Sequence, residues 1–156
     1  IGYSVGAAPI IGYNYGAQNH KEMKSLLRKS LILTGCFAVI MFAAAFALSK
    51  PLSNVFVGYD EGLLNMTVHA FSIFSFSFLF SGFAIFGSSF FTALNNGLIS
   101  ALISFMRTLV FQVAAVLIFP LIWQLDGIWM SIVAADFLSI IVTIIFLKTN
   151  KKKYHY

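Results

Sequence analysis

Long apolar stretches, each holding at most one charged residue, dominate this chain. A membrane-spanning helix needs about 20 mostly apolar residues. Four stretches meet that requirement, at 30–49, 64–94, 97–124 and 127–147. The chain is 60% hydrophobic and only 10% charged, whereas soluble domains have about 25% charged residues. The sequence therefore predicts an all-α integral membrane protein, a polytopic helix bundle whose solvent is the lipid bilayer.

The remaining segments complete the predicted topology. Residues 1–17 look like the end of a further span, and residues 20–30 form a predicted interfacial segment at the membrane surface. Residues 148–156 form a tail. Eight of the ten Lys and Arg residues fall in the 20–30 segment and the tail, and such loops stay on the cytoplasmic side. We therefore expect a multi-pass protein of the plasma membrane with a cytoplasmic C-terminus.

The charged and polar residues exclude several classes of function. The basic residues form two short clusters that do not alternate with aromatic residues, which argues against a nucleic-acid partner. No His, Cys and acidic residues share the spacing of a metal site, and no glycine-rich phosphate loop is present. With Cys36 as its single cysteine, the chain has no disulfide framework. We expect neither an enzyme nor a bound cofactor.

Two ionisable residues lie deep within predicted spans, where such residues are functional candidates. Counted from the turn between the last two spans, Arg107 lies about 24 Å deep and Asp136 about 14 Å deep. Because of this offset, we expect Arg107 to extend toward the cytoplasm and Asp136 to bond a hydroxyl group instead. Candidate partners are Ser131, Ser139 or a hydroxyl of a neighbouring helix. A structural and a proton-handling role for Asp136 are equally compatible with the sequence.

Small residues indicate close helix packing. Ser77, Ser81, Ala84 and Ser88 recur at spacings of three and four on one face of the 64–94 span, and small residues let helices approach in lipid. The pairs Gly2/Gly6 and Gly12/Gly16 form G-x-x-x-G patterns. Nine phenylalanines occupy the same 64–94 span. Most should face lipid or other helices, while some are suited to line a cavity for flat, hydrophobic cations.

Several short motifs together resemble one transporter family. The stretch Pro9 to Ala17 reads PIIGYNYGA and is followed at once by a Lys-rich loop. Downstream come FTALN at 91–95, LDGIW at 125–129 and Ala135-Asp136. In order and spacing, with Arg107 and Pro120 between them, these motifs resemble the last helices of the multidrug and toxic compound extrusion (MATE) family.

This resemblance implies that the chain is the C-terminal portion, helices eight to twelve, of a twelve-helix transporter. It forms part of one lobe, and the N-terminal lobe of the same polypeptide is the expected partner. The implied function is secondary active efflux of lipophilic, often cationic compounds in exchange for Na⁺ or H⁺, by alternating access of two lobes. The helix that carries an acidic cation ligand in some family members has no Asp or Glu here, so we expect the coupling-ion site outside this chain.

The resemblance also supplies candidate transport and gating residues in the first segment. Asn14 and Gly16, with Tyr15 between them, would lie where the lobe closes on its cytoplasmic side. Gly12 and Gly16 would permit close backbone contact there, and Pro9 would break the helix at a hinge. Arg107 and Asp136 complete the candidate set.

Two other functions are compatible with the sequence. A lipid-linked oligosaccharide or lipid flippase of related architecture would need several cations to hold phosphates, whereas Arg107 is the one cation within a predicted span. A membrane scaffold subunit without transport activity would need no ionisable residue at mid-membrane, which Asp136 argues against.

Overall fold

The protein is helical throughout. The computed structural model describes residues 1–156 and contains no strand, so the predicted all-α fold class is confirmed. Six α-helices and one π-helical segment follow one another through short turns: α1 Gly2–Gly16, α2 His20–Val57, α3 Glu61–Ser75, α4 Ser77–Ala93, α5 Gly97–Phe105, the π-helical segment Met106–Phe111, and α6 Gln112–Tyr154.

Helix α2 is one continuous rod of 38 residues, roughly 57 Å long. It begins at the N-cap Asn19, whose side chain accepts a hydrogen bond from the Glu22 backbone N–H, and it continues through Pro51. The predicted interfacial segment 20–30 is thus the first part of the same helix as the 30–49 span. Met23, which belongs to this predicted interfacial segment, is buried in the protein core.

The 64–94 stretch forms two helices rather than one. Helices α3 and α4 meet at an angle of 41° at Phe76 and are apolar enough to span a membrane together. Ser72 donates to the Val68 carbonyl and Ser75 to the Ser72 carbonyl, and hydroxyl bonds to the preceding turn bend helices. The serines before Phe76 therefore account for the break.

Helix α6 contains a reversal of the chain. Residues Gly97–Tyr154 form a 58-residue apolar stretch, which as a straight helix would be roughly 87 Å long. Gln124 interrupts it with φ 51° and ψ −122°. At Gly127, an added Cβ would clash with the Phe119 backbone, so only glycine permits this tight return. We call residues 112–123 and 125–154 the first and second limbs of α6.

The buried core lies at one end of the bundle. We call this end, which carries the turns 17–19 and 94–96 and the C-terminus, the tail end, and the opposite one, with residues 58–60 and Gln124, the far end. Only 27 of 156 residues are buried, so most apolar side chains face outward, as lipid requires. Ten of the buried residues form one cluster: Ile11, Met23, Phe86, Phe90, Phe91, Leu94, Ile99, Ile103, Tyr154 and Tyr156.

Candidate functional site

An ion pair lies in the middle of the bundle. Arg107 Nε donates to Asp136 Oδ1 at 2.8 Å, and Ser77 Oγ donates to the other carboxylate oxygen, Asp136 Oδ2. Asp136 is 4% exposed, whereas the Arg107 side chain is 28% exposed. We call these three residues the polar triad. It joins α4, the π-helical segment and the second limb of α6.

The expectation that Arg107 and Asp136 would not pair is therefore wrong. That expectation counted depth from a turn between residues 124 and 127, but the chain reverses at Gln124. Counted from Gln124, Arg107 is 17 residues away and Asp136 is 12, so their offset shrinks to roughly 7.5 Å. The long Arg107 side chain covers this remainder.

The hydroxyl partner of Asp136 comes from a neighbouring helix, which was one of the expected alternatives. The other two candidates do not bond the carboxylate. Ser131 Oγ donates to the Ile128 carbonyl, and Ser139 Oγ is buried without a hydrogen-bond partner. Two charged hydrogen bonds thus hold Asp136 from two different helices.

Helix irregularities position the other two members of the triad. Ser77 is the first residue of α4, directly after the break at Phe76, and the positive end of a helix dipole lies there. Arg107 is the second residue of the π-helical segment, and short π-helical turns occur frequently at functional sites. The carboxylate therefore faces a guanidinium, a hydroxyl and a helix N-terminus.

A burial of this kind has an energetic consequence. Removing two charges from water costs several kcal/mol per ion, and a buried pair repays this cost only when its geometry is good. Breaking such a pair by removing one partner costs about 3–5 kcal/mol. Loss of either charged partner alone is therefore costly.

A cluster of hydroxyl groups connects the triad with the tail end. Ser88 Oγ lies 2.9 Å from both Ser100 Oγ and Ser104 Oγ, and Thr92 Oγ1 lies 2.7 Å from Ser100 Oγ. Next to it, a cavity of about 170 Å³ is lined by Ser88, Ser104 and Arg107. This volume accommodates several water molecules, each with hydroxyl partners. Arg107 thus lines a cavity that also presents hydroxyl groups.

An apolar groove lies beside the break in the α3–α4 span. It measures about 460 Å³, and all eight residues that line it are hydrophobic. Phe80 and Phe137 meet across it edge to face, with ring centroids 5.5 Å apart. The lining includes four aromatic rings: Phe76, Phe80, Phe119 and Phe137. Aromatic faces of this kind attract cations, and the groove is close in sequence to both Ser77 and Asp136.

The candidate residues of the first segment lie apart from the triad, in α1. Helix α1 runs through Pro9 without interruption, so the predicted break at Pro9 is wrong. Asn14 Nδ2 donates to the Ile10 carbonyl of its own helix. The Tyr15 ring packs edge-on against Tyr154, with centroids 5.6 Å apart.

The two glycines of this motif differ in their surroundings. A Cβ at Gly12 would lie 3.4 Å from the Ala93 carbonyl oxygen, so Gly12 does contact the C-terminal end of α4 closely. A Cβ at Gly16 would meet no atom within 4 Å. The expected close contact at Gly16 is therefore absent within these residues, and the same holds for the Gly2/Gly6 pair.

Sequence reasoning missed the tightest glycine contact and the role of the tail. A Cβ at Gly87 would clash with Thr143 Cγ2, yet Gly87 has no second glycine at helical spacing to signal it. Tyr154 accepts a hydrogen bond from Asn96 Nδ2 at 2.7 Å, and Tyr156 donates to the Leu147 carbonyl at 2.9 Å. The one feature of the sequence that could have indicated these contacts is the pair of tyrosines that follows Lys151 to Lys153.

Comparisons with known proteins agree with this geometry. The sequence profile of the MatE family matches residues 1–118. A solved structure described as an outward-facing conformation of a multidrug resistance MATE family transporter of the MOP superfamily superposes with a TM-score of 0.88 at 18% identity. The match covers 97% of this chain and 34% of that one, so the chain spans about a third of its length. At this identity the likeness shows the fold. No curated protein matches the chain.

Proposed function

The chain belongs to the MatE family, and on that premise we propose that it is part of a secondary active multidrug efflux antiporter. The protein would export lipophilic, often cationic compounds in exchange for Na⁺ or H⁺. Two lobes would alternate in exposing a central cavity, and these 156 residues would form part of one lobe. The remaining lobe of the same polypeptide would supply the opposite wall and the coupling-ion site.

The observation that carries the proposal is the polar triad at the break between α3 and α4. Ser77 and Arg107 bind the Asp136 carboxylate from two elements that pack against the second limb of α6. In one arrangement the carboxylate keeps both partners. In the other, Arg107 turns toward the hydroxyl-lined cavity, whose polar groups can accept its donors. Such a pair of discrete arrangements is what a conformational cycle requires.

The apolar groove beside the triad is our candidate for the substrate-contacting wall. Its phenylalanine rings offer flat apolar contact and a negative aromatic face, which suits a lipophilic cation better than an anion. No cation lines this groove. A flippase that carries phosphorylated lipids would need such cations, so the groove favours drug efflux over that alternative.

The distribution of charge supports an orientation. Lys and Arg residues concentrate at the tail end, which holds eight of the ten. By the positive-inside rule, we propose that the tail end and the C-terminus are cytoplasmic and that the protein resides in the plasma membrane. In this orientation the densely packed end of the bundle faces the cytoplasm.

An efflux assay tests the function. The intact protein is expressed in an efflux-deficient cell, and accumulation of a fluorescent lipophilic cation is followed with the proton gradient intact or collapsed, and with Na⁺ present or removed. We expect lower accumulation than in control cells, and we expect one of the two treatments to abolish the difference. That treatment identifies the coupling ion. Unchanged accumulation across several dyes would contradict the proposal.

Two substitutions, each of which removes one negative charge, test the triad in the same assay. Asp136→Asn removes the charge that Arg107 binds, and we expect efflux to fall at least tenfold. Asp126→Asn is the matched control, because Asp126 pairs with His69 at the exposed far end, and we expect it to retain efflux. Equal efflux in the two variants, with an unchanged pH dependence, would show that Asp136 has a structural role only.

A further inference from the structure

A second groove, unrelated to the polar triad, opens at the tail end of the bundle. It has a volume of about 380 Å³ and lies between the beginning of α2 and the end of the second limb of α6. Lys24 and Arg28 line it from α2, while Lys148 and Lys151 line it from α6. Their spacings of four and three residues place each pair on one helix face, so four cations converge on one opening.

None of these four cations forms a salt bridge within the protein. The carboxylate of Asp126 contacts His69, and that of Asp136 pairs with Arg107. Of the five acidic residues, only Glu22 lies at the tail end, and it forms no ion pair. The groove therefore concentrates positive charge that an external anion can neutralise.

The depth of the groove is apolar. Leu27 and Leu31 of α2 and Leu147 of α6 line its walls, and all three pack against the buried cluster of the tail end. The two helices run in opposite directions, and Leu31 of α2 and Leu147 of α6 lie on the membrane side of the cations of their own helix, while Leu27 lies level with Arg28. The groove thus changes from apolar to cationic in the direction in which a phospholipid changes from acyl chain to phosphate.

We propose that this groove binds an anionic phospholipid from the leaflet at the tail end. The phosphate and headgroup would lie among Lys24, Arg28, Lys148 and Lys151, and the acyl chains would lie along the leucines. Basic pockets between membrane helices bind anionic headgroups in this way. A soluble anion would use the cations but leave the apolar walls empty. The bound lipid would bridge α2 and the C-terminal helix, which otherwise face each other across the groove.

Retention of lipid by the purified protein tests the proposal. The intact protein is extracted in mild detergent, and bound phosphatidylglycerol and phosphatidylcholine are measured by native mass spectrometry. The groove variant changes Lys24, Arg28, Lys148 and Lys151 to Gln. The rim variant changes the other four cations of the tail end, Lys21, Lys29, Lys152 and Lys153, to Gln, and therefore has the same net charge. Each groove cation should contribute roughly fivefold to affinity.

We expect the native protein and the rim variant to retain phosphatidylglycerol, and the groove variant to lose at least nine-tenths of it. Phosphatidylglycerol added in mixed micelles with the detergent should raise the thermal unfolding midpoint of the first two but not of the third, and inorganic phosphate should have no such effect. Equal loss of phosphatidylglycerol from both variants would show that the lipid is attracted by the overall positive charge, which would overturn the proposal. Full retention by both variants would also overturn it. If the fourfold groove variant fails to fold, Lys24→Gln and Lys21→Gln provide the same comparison singly.

Discussion

The tail end of the bundle and its middle are held together by different physical forces. At the tail end, ten residues, mostly apolar or aromatic, pack into one cluster in which Phe90 and Phe91 are fully buried. In the middle, few large apolar residues are buried, and a charged pair and a hydroxyl link the helices. The regular helices meet at the tail end, whereas the break at Phe76 and the π-helical segment lie in the middle.

This difference indicates which part of the bundle can rearrange. Close packing has one low-energy arrangement, because cores are nearly as dense as organic crystals. A polar pair next to hydroxyl groups differs, because the neighbouring cavity offers the guanidinium a second set of acceptors, which the proposed cycle uses. In lipid, helices gain no hydrophobic stabilisation from association, so this exchange decides the relative stability of the arrangements. For the proposed transport cycle, we therefore expect the tail end to act as a fixed clamp and the middle to be the movable region.

Arg107→Leu should give the largest effect on stability. It leaves the Asp136 carboxylate buried with only the Ser77 hydroxyl as partner, and loss of one member of a buried ion pair costs about 3–5 kcal/mol. We expect a decrease of this size in the free energy of unfolding, measured by denaturant titration in detergent micelles, together with loss of efflux.

The double variant Arg107→Leu/Asp136→Leu separates stability from transport. Replacing both members of a buried pair by apolar residues is often neutral or stabilising, so most of the lost stability should return. Efflux should not return, because the exchange of partners needs the charges. A double variant with native efflux would show that the middle of the bundle works through packing, like the tail end.

Gly87→Ala should have an intermediate effect, through close packing alone. The added Cβ would clash with Thr143 Cγ2, and Thr143 cannot turn away freely because its Oγ1 donates to the Ser139 carbonyl at 2.8 Å. Overpacking of this kind costs about 1–3 kcal/mol, which a shift in the thermal unfolding midpoint would show. Thr143→Ser removes Cγ2 and keeps the hydroxyl, so adding it to Gly87→Ala should restore stability.

Gly16→Ala is the matched control for that substitution. No atom lies within 4 Å of the position of the new Cβ, so stability should change by less than about 0.5 kcal/mol. Reduced efflux with unchanged stability would indicate that Gly16 contacts the other lobe in the intact protein. Destabilisation by Gly16→Ala comparable to that by Gly87→Ala would contradict the packing described for α1.

The apolar and charge patterns of the sequence were sufficient to predict the fold class, but they did not predict the local geometry of the site. Long apolar runs require helices in lipid, so the all-α membrane fold followed from composition and spacing. Asp136 and Arg107 were identifiable because buried ionisable residues are rare in membranes. Their pairing was not predictable, since it depends on the reversal at Gln124, where a non-glycine residue adopts a positive φ.

The glycine contacts show the same difference between what the sequence pattern indicates and what only the fold determines. A G-x-x-x-G pattern marks a face that can approach another helix, but only the fold decides which face has a neighbour. Gly12 has one, whereas Gly2, Gly6 and Gly16 do not. Gly87 has the closest neighbour, Thr143, although it belongs to no G-x-x-x-G pattern. Contacts of the tail, such as the hydrogen bond of Tyr154 with Asn96, join residues 58 positions apart, and nothing local in the sequence indicates them.

Among the variants expected to destabilise the protein, Tyr156→Phe should have the smallest effect, and it tests the clamp at its edge. It removes the hydrogen bond that Tyr156 donates to the Leu147 carbonyl, worth about 1 kcal/mol, and keeps the ring that packs against Phe90. Tyr13→Phe is the control. The Tyr13 side chain is exposed, so this substitution should leave stability unchanged. The measurement is the free energy of unfolding at neutral pH.

The same variant makes a prediction for alkaline solution. Burial, and to a smaller extent the neighbouring Tyr154, raises the pKa of Tyr156 above its ordinary value of 10.0. A folded-state pKa above the unfolded one means that the folded form holds its proton more tightly, so the contribution of Tyr156 is complete below pH 10 and is lost as the pH rises beyond it. The native protein should therefore lose its advantage over Tyr156→Phe above about pH 10. A constant difference between the two proteins from pH 7 to 11 would show that the phenol is not held in the clamp, and the tail end would then be fixed by its phenylalanines alone.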